Sequence, residues 1–134
     1  MKPETLMEAA RTARERAYAP YSGYTVGAAL LTADGRLFSG CNVEFSVFSP
    51  TSCAERTALC AAVAAGCREF SGLAVSGGWT GEDPDTPCSP CGVCRQALSE
   101  FCGDDFPVYL EGENGMLSTT LGELLPMTFR FKKS

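Results

Sequence analysis

The sequence predicts one α/β domain over residues 1–134, a mixed sheet covered by helices. Three observations carry the expectation. Two strand-like segments open the chain as a hairpin, helical and strand-like segments alternate after it, and no linker or internal repeat divides it. At 134 residues with 45% apolar content, the chain is long enough for a single core that buries roughly two-thirds of the surface its unfolded form exposes.

Leu6, Ala9, Ala10, Ala13 and Ala17 recur at helical spacing, and the pattern stops at Tyr18-Ala19-Pro20, because proline disfavours helix in the residue before it. Residues 25–31 (TVGAALL) and 37–41 (LFSGC) read as strands joined through Ala33-Asp34-Gly35, a turn whose glycine takes positive φ without strain. Residues 42–52 are irregular, with Pro50 and several serines. They lead into CAERTALCAAVAAG, an alanine-rich helix closed by Gly66. Residues 72–77 (GLAVSG) form a short apolar strand, and the loop after it is crowded with Gly, Pro and Asp. A third helix runs from Pro90 to about Phe101, residues 107–110 (PVYL) supply a further strand, and Thr120–Leu125 a short capped helical turn.

Composition excludes several function classes. A net charge of −5, with eleven scattered Lys and Arg, disfavours a polymeric nucleic acid as partner; only Lys132 and Lys133 cluster, as a solvated tail. The first eighteen residues mix both charges through a helical pattern and lack the apolar core of a signal peptide, and no later run is long and apolar enough to span a bilayer. The cytoplasm is therefore the expected compartment. Eight cysteines there stay reduced, which points to metal binding or thiol chemistry. With no histidine in the chain, Ser-His-Asp and Cys-His catalysis are ruled out, and a transition-metal site has only thiolates and carboxylates to draw on.

Three cysteines stand apart by position. Cys53 opens the second helix, while Cys91 and Cys94 lie in the first turns of the third, where unpaired backbone N–H groups and the helix dipole stabilise thiolates. Three thiolates around a divalent ion leave a net negative charge that blunts the metal as an acid. Arg56, one turn past Cys53, is placed to hydrogen-bond a ligand sulfur and offset that charge, unless it is an ordinary surface arginine. Glu55 is close enough to reach solvent on the metal without being a ligand, the arrangement a proton shuttle needs. A blander reading makes Ser52-Cys53-Ala54-Glu55 a capping box, with Glu55 merely closing the helix start.

C-A-E followed by P-C-G-V-C matches the zinc deaminase signature, with cysteine in place of histidine at the first ligand. On these residues the chain resembles the cytidine deaminase family in its compact form, whose zinc ligands are all cysteines. The resemblance covers nearly the whole chain: YAPYSGYTVGAALLTADGRLFSGCNVE, TSCAERTAL, SPCGVCRQALSEF and ELLPMTF correspond in order to the family's blocks. It implies a three-layer α/β/α fold with a mixed sheet of roughly five strands. It also implies a homotetramer with active sites at subunit borders, and hydrolytic deamination of cytidine or deoxycytidine with release of ammonia. Zn2+ would be held by Cys53, Cys91 and Cys94, and Glu55 would carry protons. Asn42 and Glu44 would hydrogen-bond the ribose, Tyr24 and Phe129 would sandwich the pyrimidine ring, and the backbone at Ala54 and Ser89 would read the base. Arg95 and Gln96 receive no chemical role.

The sequence departs from the family in three places. Phe45 and Phe48 stand where the family usually has Asn and Tyr, which favours substituted cytidines or nucleoside antibiotics as alternative substrates. The loop from Trp79 to Pro87 is longer and more acidic than its counterpart, as either a partial lid or a solvated loop. Cys88 creates C-x-x-C-x-x-C, and a fourth thiolate on zinc would close the site and make it structural. A thiol oxidoreductase built on Cys91 and Cys94 is a further alternative. Cys41, Cys60, Cys67 and Cys102 read as small buried apolar residues.

Overall fold

A computed structural model describes residues 1–131, so Lys132 and Lys133 lie outside the described residues. The chain runs α1 (Pro3–Arg14), β1 (Tyr24–Thr32), β2 (Leu37–Cys41), α2 (Ala54–Ala64), β3 (Phe70–Trp79), α3 (Gly92–Ser99), β4 (Pro107–Gly112), β5 (Gly115–Thr120) and α4 (Leu121–Leu124). The five strands form one sheet in the order β2-β1-β3-β4-β5. Only β3 and β4 are parallel, and α3 makes the crossover that a parallel pair requires. The other neighbours are antiparallel.

Strand alternation sorts the core onto two faces. Ala29 and Ala74 meet Leu6, Met7 and Ala10 of α1 on one side. Ala28, Leu30, Leu73, Val75, Val108 and Leu110 meet Ala54, Ala58, Leu59 and Ala62 of α2, Leu98 of α3 and Leu121 of α4 on the other. The result is the expected three-layer α/β/α arrangement with a mixed five-stranded sheet. Strand β1, covered on both faces, reads as a nearly continuous apolar run for that reason.

Two glycines let the helices come down onto the sheet. A Cβ at Gly27 would sit 2.0 Å from the Ala10 carbonyl oxygen and 2.3 Å from the Arg14 nitrogen. One at Gly40 would sit 2.5 Å from the Ala58 nitrogen and 2.6 Å from the Ala54 oxygen. Helix α2 therefore lies directly on the β2 backbone, and its first turn is fixed at the sheet edge.

The elements differ from the sequence expectation at their ends and in one strand. Helix α1 stops at Arg14, and Ala17 belongs to the turns that follow, its N–H donating to the Arg14 carbonyl. Strand β5 was not expected: GMLSTT has no buried residue and lacks an apolar alternation. Its one sequence signal is the turn ahead of it, where Gly115 takes φ +103°. Residues 42–52, irregular as expected, are stitched down by bridges from Val43 to Tyr18 and to Ser52. Thr120 caps α4 by accepting from the Glu123 N–H. No helix among the described residues is long and apolar enough to cross a membrane.

Replacing Gly40 by Ala forces the first turn of α2 away from the sheet. The expected cost is about 1–3 kcal/mol in a denaturant titration, together with less than one zinc per chain by metal analysis, because that turn carries Cys53.

Candidate metal centre and active site

Cys53 is the N-cap of α2 and Cys91 the N-cap of α3, both in extended backbone, and Cys94 lies in the first turn of α3. Their ligand atoms all fall within 4.8 Å of one another, with Cys94 buried, Cys53 half-buried and Cys91 exposed. The Cys53 and Cys91 sulfurs are 3.8 Å apart. A tetrahedral zinc with Zn–S of about 2.3 Å requires an edge of about 3.8 Å between sulfurs, so the residues present fit this ion. Among the described residues no fourth Cys, Asp or Glu joins the group, and one coordination position stays open.

The electrostatics are those of a thiolate cluster. The Cys53 thiol is pulled down to about 5, first by a hydrogen bond with Cys94, with Arg56 adding to the effect against the cost of burial. Cys94 moves the opposite way, upward, because it shares the hydrogen bond with Cys53 and is itself buried. Arg56 is not a free surface arginine. Its Nη2 donates to the Thr51 carbonyl at 3.2 Å and to the Cys53 sulfur at 3.8 Å, and its Nε is buried with no partner among the described residues. This keeps a cation against a site that would otherwise carry −1, three thiolates against a divalent ion.

Glu55, 5% exposed, occupies the first turn of α2 beside the cluster. The capping-box reading fails on geometry. The N-cap is Cys53, with no side-chain cap bond, the Ser52 N–H donates to Val43, and the Ser52 hydroxyl pairs with Thr57. The Glu55 carboxyl therefore does not close the helix start at Ser52, and burial, followed by the nearby Cys53 charge, raises it to about 6.

Asn42 and Glu44 flank Val43, whose bridge to Ser52 lays them beside the segment entering Cys53. Asn42 Oδ1 accepts from the Val26 N–H and its Nδ2 donates to the Tyr24 carbonyl, both at 2.9 Å. One donor and one acceptor position remain for a ligand. Glu44 Oε1 accepts from the Tyr21 and Ser22 N–H groups at 3.1 Å, and Oε2 from the Ser22 hydroxyl. That hydroxyl does most to hold the carboxyl below its usual range. Ala54 is fully buried as the first residue of α2, and Ser89 is exposed just before the α3 cap. Tyr24 packs edge-on against Trp79, ring centroids 5.2 Å apart. The Phe129 ring is 68% exposed, its carbonyl held by Gln96 Nε2 at 2.7 Å.

Residues 1–110 match the family described as the cytidine and deoxycytidylate deaminase zinc-binding region. The chain belongs to this deaminase family. It is 48% identical over 130 residues to the cytidine deaminase of Sporosarcina psychrophila, covering 96% of this chain and 92% of that one. The crystal structure of cytidine deaminase from Burkholderia pseudomallei superposes with a TM-score of 0.86 at 46% identity, over 96% of this chain and all of the other. A blasticidin-S deaminase from Bacillus cereus is 32% identical over 107 residues, 78% of this chain and 76% of that one.

Two departures from the family are decided by the structure. Cys88 lies outside the sulfur cluster. Its thiol is seated against Gly77 of β3, which leaves three sulfurs in the cluster and not four. The 79–87 loop leans to the α1 side of the sheet, where Thr80–Pro84 line an open cavity of about 900 Å³ with Arg11, Arg14 and Glu111. Arg14 Nη2 pins it by donating to the Trp79 and Glu82 carbonyls at 2.9 and 2.7 Å.

Sequence reasoning missed the supporting residues. Arg95 clamps the turn before α3, its Nε donating to the Pro90 carbonyl and its Nη2 to the Ser89 hydroxyl, each at 2.6 Å. Nothing in its sequence position except its place one turn after Cys91 signals this. Zinc analysis separates ligand from neighbour: Cys94→Ser is expected to lose the metal, whereas Cys88→Ser keeps about one zinc per chain. Metal loss in both variants would contradict a three-sulfur site.

Proposed function

We infer that this chain catalyses the hydrolytic deamination of cytidine and deoxycytidine to uridine and deoxyuridine, releasing ammonia, as a zinc-dependent enzyme of pyrimidine salvage. The observation that carries the reading is the trio of sulfurs with an open coordination position and the buried Glu55 carboxyl beside it. Zinc supplies Lewis acidity, which makes water a nucleophile near neutral pH.

The protein's own residues do the rest. Glu55 accepts one proton of the attacking water and passes it to ring nitrogen N3; it then takes the remaining hydroxyl proton from the oxygen added at C4 and delivers it to the amino nitrogen, so that ammonia leaves as the C4 carbonyl forms. A carboxyl raised to about 6 by burial suits both directions of transfer. Asn42 and Glu44 supply the hydrogen-bonding groups that vicinal ribose hydroxyls need. Tyr24 offers a ring face to the neutral base, and the backbone at Ala54 and Ser89 offers a donor for O2 and an acceptor for the amino group.

Phe129 completes the sandwich from a neighbouring copy in a homotetramer. Support for that assembly comes from the apolar side chains a single chain leaves open: Phe129, Phe131 and Phe48 are 68%, 82% and 82% exposed, and Met127 is fully so. A cytoplasmic location follows from the same reading.

A second reading, a substituted cytidine or nucleoside antibiotic as substrate, is favoured by Phe45 and Phe48, exposed apolar residues in the segment that follows Glu44. The blasticidin-S deaminase likeness supports it as well. An ammonia-release screen over cytidine, deoxycytidine, substituted cytidines, cytosine and adenosine separates the two readings by where kcat/KM is highest.

Glu55→Gln is expected to keep zinc and fold while ammonia release falls by about 10²–10⁴-fold; a Gln variant with normal turnover rejects the proton-carrier role. Sedimentation is expected to give the mass of four chains, and a fully active monomer would contradict the shared site.

A further inference from the structure

Tyr24 opens β1, and the β1–β3 register places it opposite Trp79 and places Val26 opposite Gly77. Val26 packs with the core on the α2 and α3 side. Residues two apart on a strand share a face, and so do directly opposed residues of a pair. Tyr24, Val26, Gly77 and Trp79 therefore line one patch of sheet on the zinc side, at the end where β3 stops.

The patch has a hole at Gly77, and Cys88 fills it. A Cβ on residue 77 would lie 2.7 Å from the Cys88 sulfur and 2.9 Å from its Cβ, so no larger residue is accommodated at 77 without a shift. From this seat the Cys88 thiol lies against Gly77, whose β1 partner Val26 is two residues from Tyr24 on the same face, and the thiol is near enough to influence the Tyr24 hydroxyl. The ring's other flank is Trp79, edge-on with an interplanar angle of 88°. Trp79 is itself fixed through its backbone: its carbonyl accepts from Arg14, and the next residue, Thr80, donates to Gly23 at 2.8 Å. Neither Trp79 nor Cys88 touches the sulfur cluster or has a part in the proton transfers.

We propose that Trp79 and Cys88 are positioning residues that hold the Tyr24 ring as a rigid wall of the base site, so that substrate affinity depends on them while the chemical step does not. The proposal rests on the cytidine deaminase reading, in which Tyr24 faces the pyrimidine. Cys88 also ties that wall to the chemistry by sequence, since Ser89 is the next residue and Cys91 is three residues on. A Cys88 that shifts moves the base-reading carbonyl and the Tyr24 hydroxyl together.

Steady-state kinetics on the zinc-loaded protein test this with Trp79→Ala, Cys88→Ala and the conservative variants Trp79→Phe and Cys88→Ser. The two alanine variants are expected to raise KM for cytidine about 3- to 10-fold with kcat within about twofold. The Phe and Ser variants, which keep an aromatic edge and a hydrogen-bonding group, are expected to recover most of the loss. Adding Tyr24→Phe to Cys88→Ala is expected to cost less than the sum of the two single changes, as for groups in contact. Trp79 is the chain's one tryptophan, so its fluorescence gives a second readout, shifting on uridine binding in the wild type and less so in Cys88→Ala. Alanine variants with wild-type KM, or with kcat and zinc content lost together, overturn the proposal while the wild type still turns over. A zinc-loaded wild type that releases no ammonia overturns the reaction assignment and this inference with it.

Discussion

The site exists because two helices begin at the same place. Three sulfurs reach one ion only if the N-termini of α2 and α3 meet, and each is held there by close contact with the sheet. For α2 the contact is between small residues: Ala54, Ala58 and Ala62 are wholly buried, and the helix backbone rests on Gly40. For α3 it is topological. The helix is the crossover between parallel β3 and β4, so it must start near the carboxyl end of β3, where open α/β sheets place their ligands. Antiparallel pairing brings the start of β1, and with it Tyr24, to that same end.

This convergence makes the surrounding hydrogen bonds intelligible as supports for loops. The segment from Asn42 to Ser52 has no regular structure, yet the bridges from Val43 and the two bonds of the Asn42 amide register it against β1. The turn at Ser89 and Pro90 has no strand to lean on and is held instead by the Arg95 guanidinium. A planar fork of donors suits that task, since one side chain satisfies several acceptors in a fixed geometry. On the far face, buried Glu111 accepts from the Ser76 hydroxyl at 2.8 Å and pairs with Arg11, which compensates a carboxylate inside the α1 layer.

The chemistry-bearing residues were legible in the sequence because they sit at helix starts, where spacing fixes relative position: Cys53, Glu55, Cys91 and Cys94 are each within a turn of an N-cap. Periodicity gave the helices and the buried strands for the same local reason. Strand β5 was illegible because an edge strand with both faces partly wet carries no apolar alternation. Trp79, Arg14 and Arg95 were missed because their partners are distant in sequence or are backbone carbonyls, which leave no mark on residue type. The capping-box pattern misled as an alternative, since the N-cap is Cys53, one residue after Ser52, and the serine is spent on Thr57. Cys88 looked like a ligand by spacing alone, and only its seat on Gly77 shows otherwise.

An all-cysteine site poses an electrostatic problem that the fold answers from three directions. Thiolates donate more charge to zinc than imidazoles do, and a site with net −1 holds the proton of bound solvent more tightly. Two helix N-termini point their positive ends at the cluster, each equivalent to about half an elementary charge. Arg56 adds a full charge at the Cys53 sulfur, close enough to hydrogen-bond it. In the role proposed for it, Glu55 would take the remaining share: a buried carboxyl, raised toward neutrality, is a stronger base than an exposed one. Its burial, which costs the folded state free energy, would then offset the acidity that three sulfurs take from zinc.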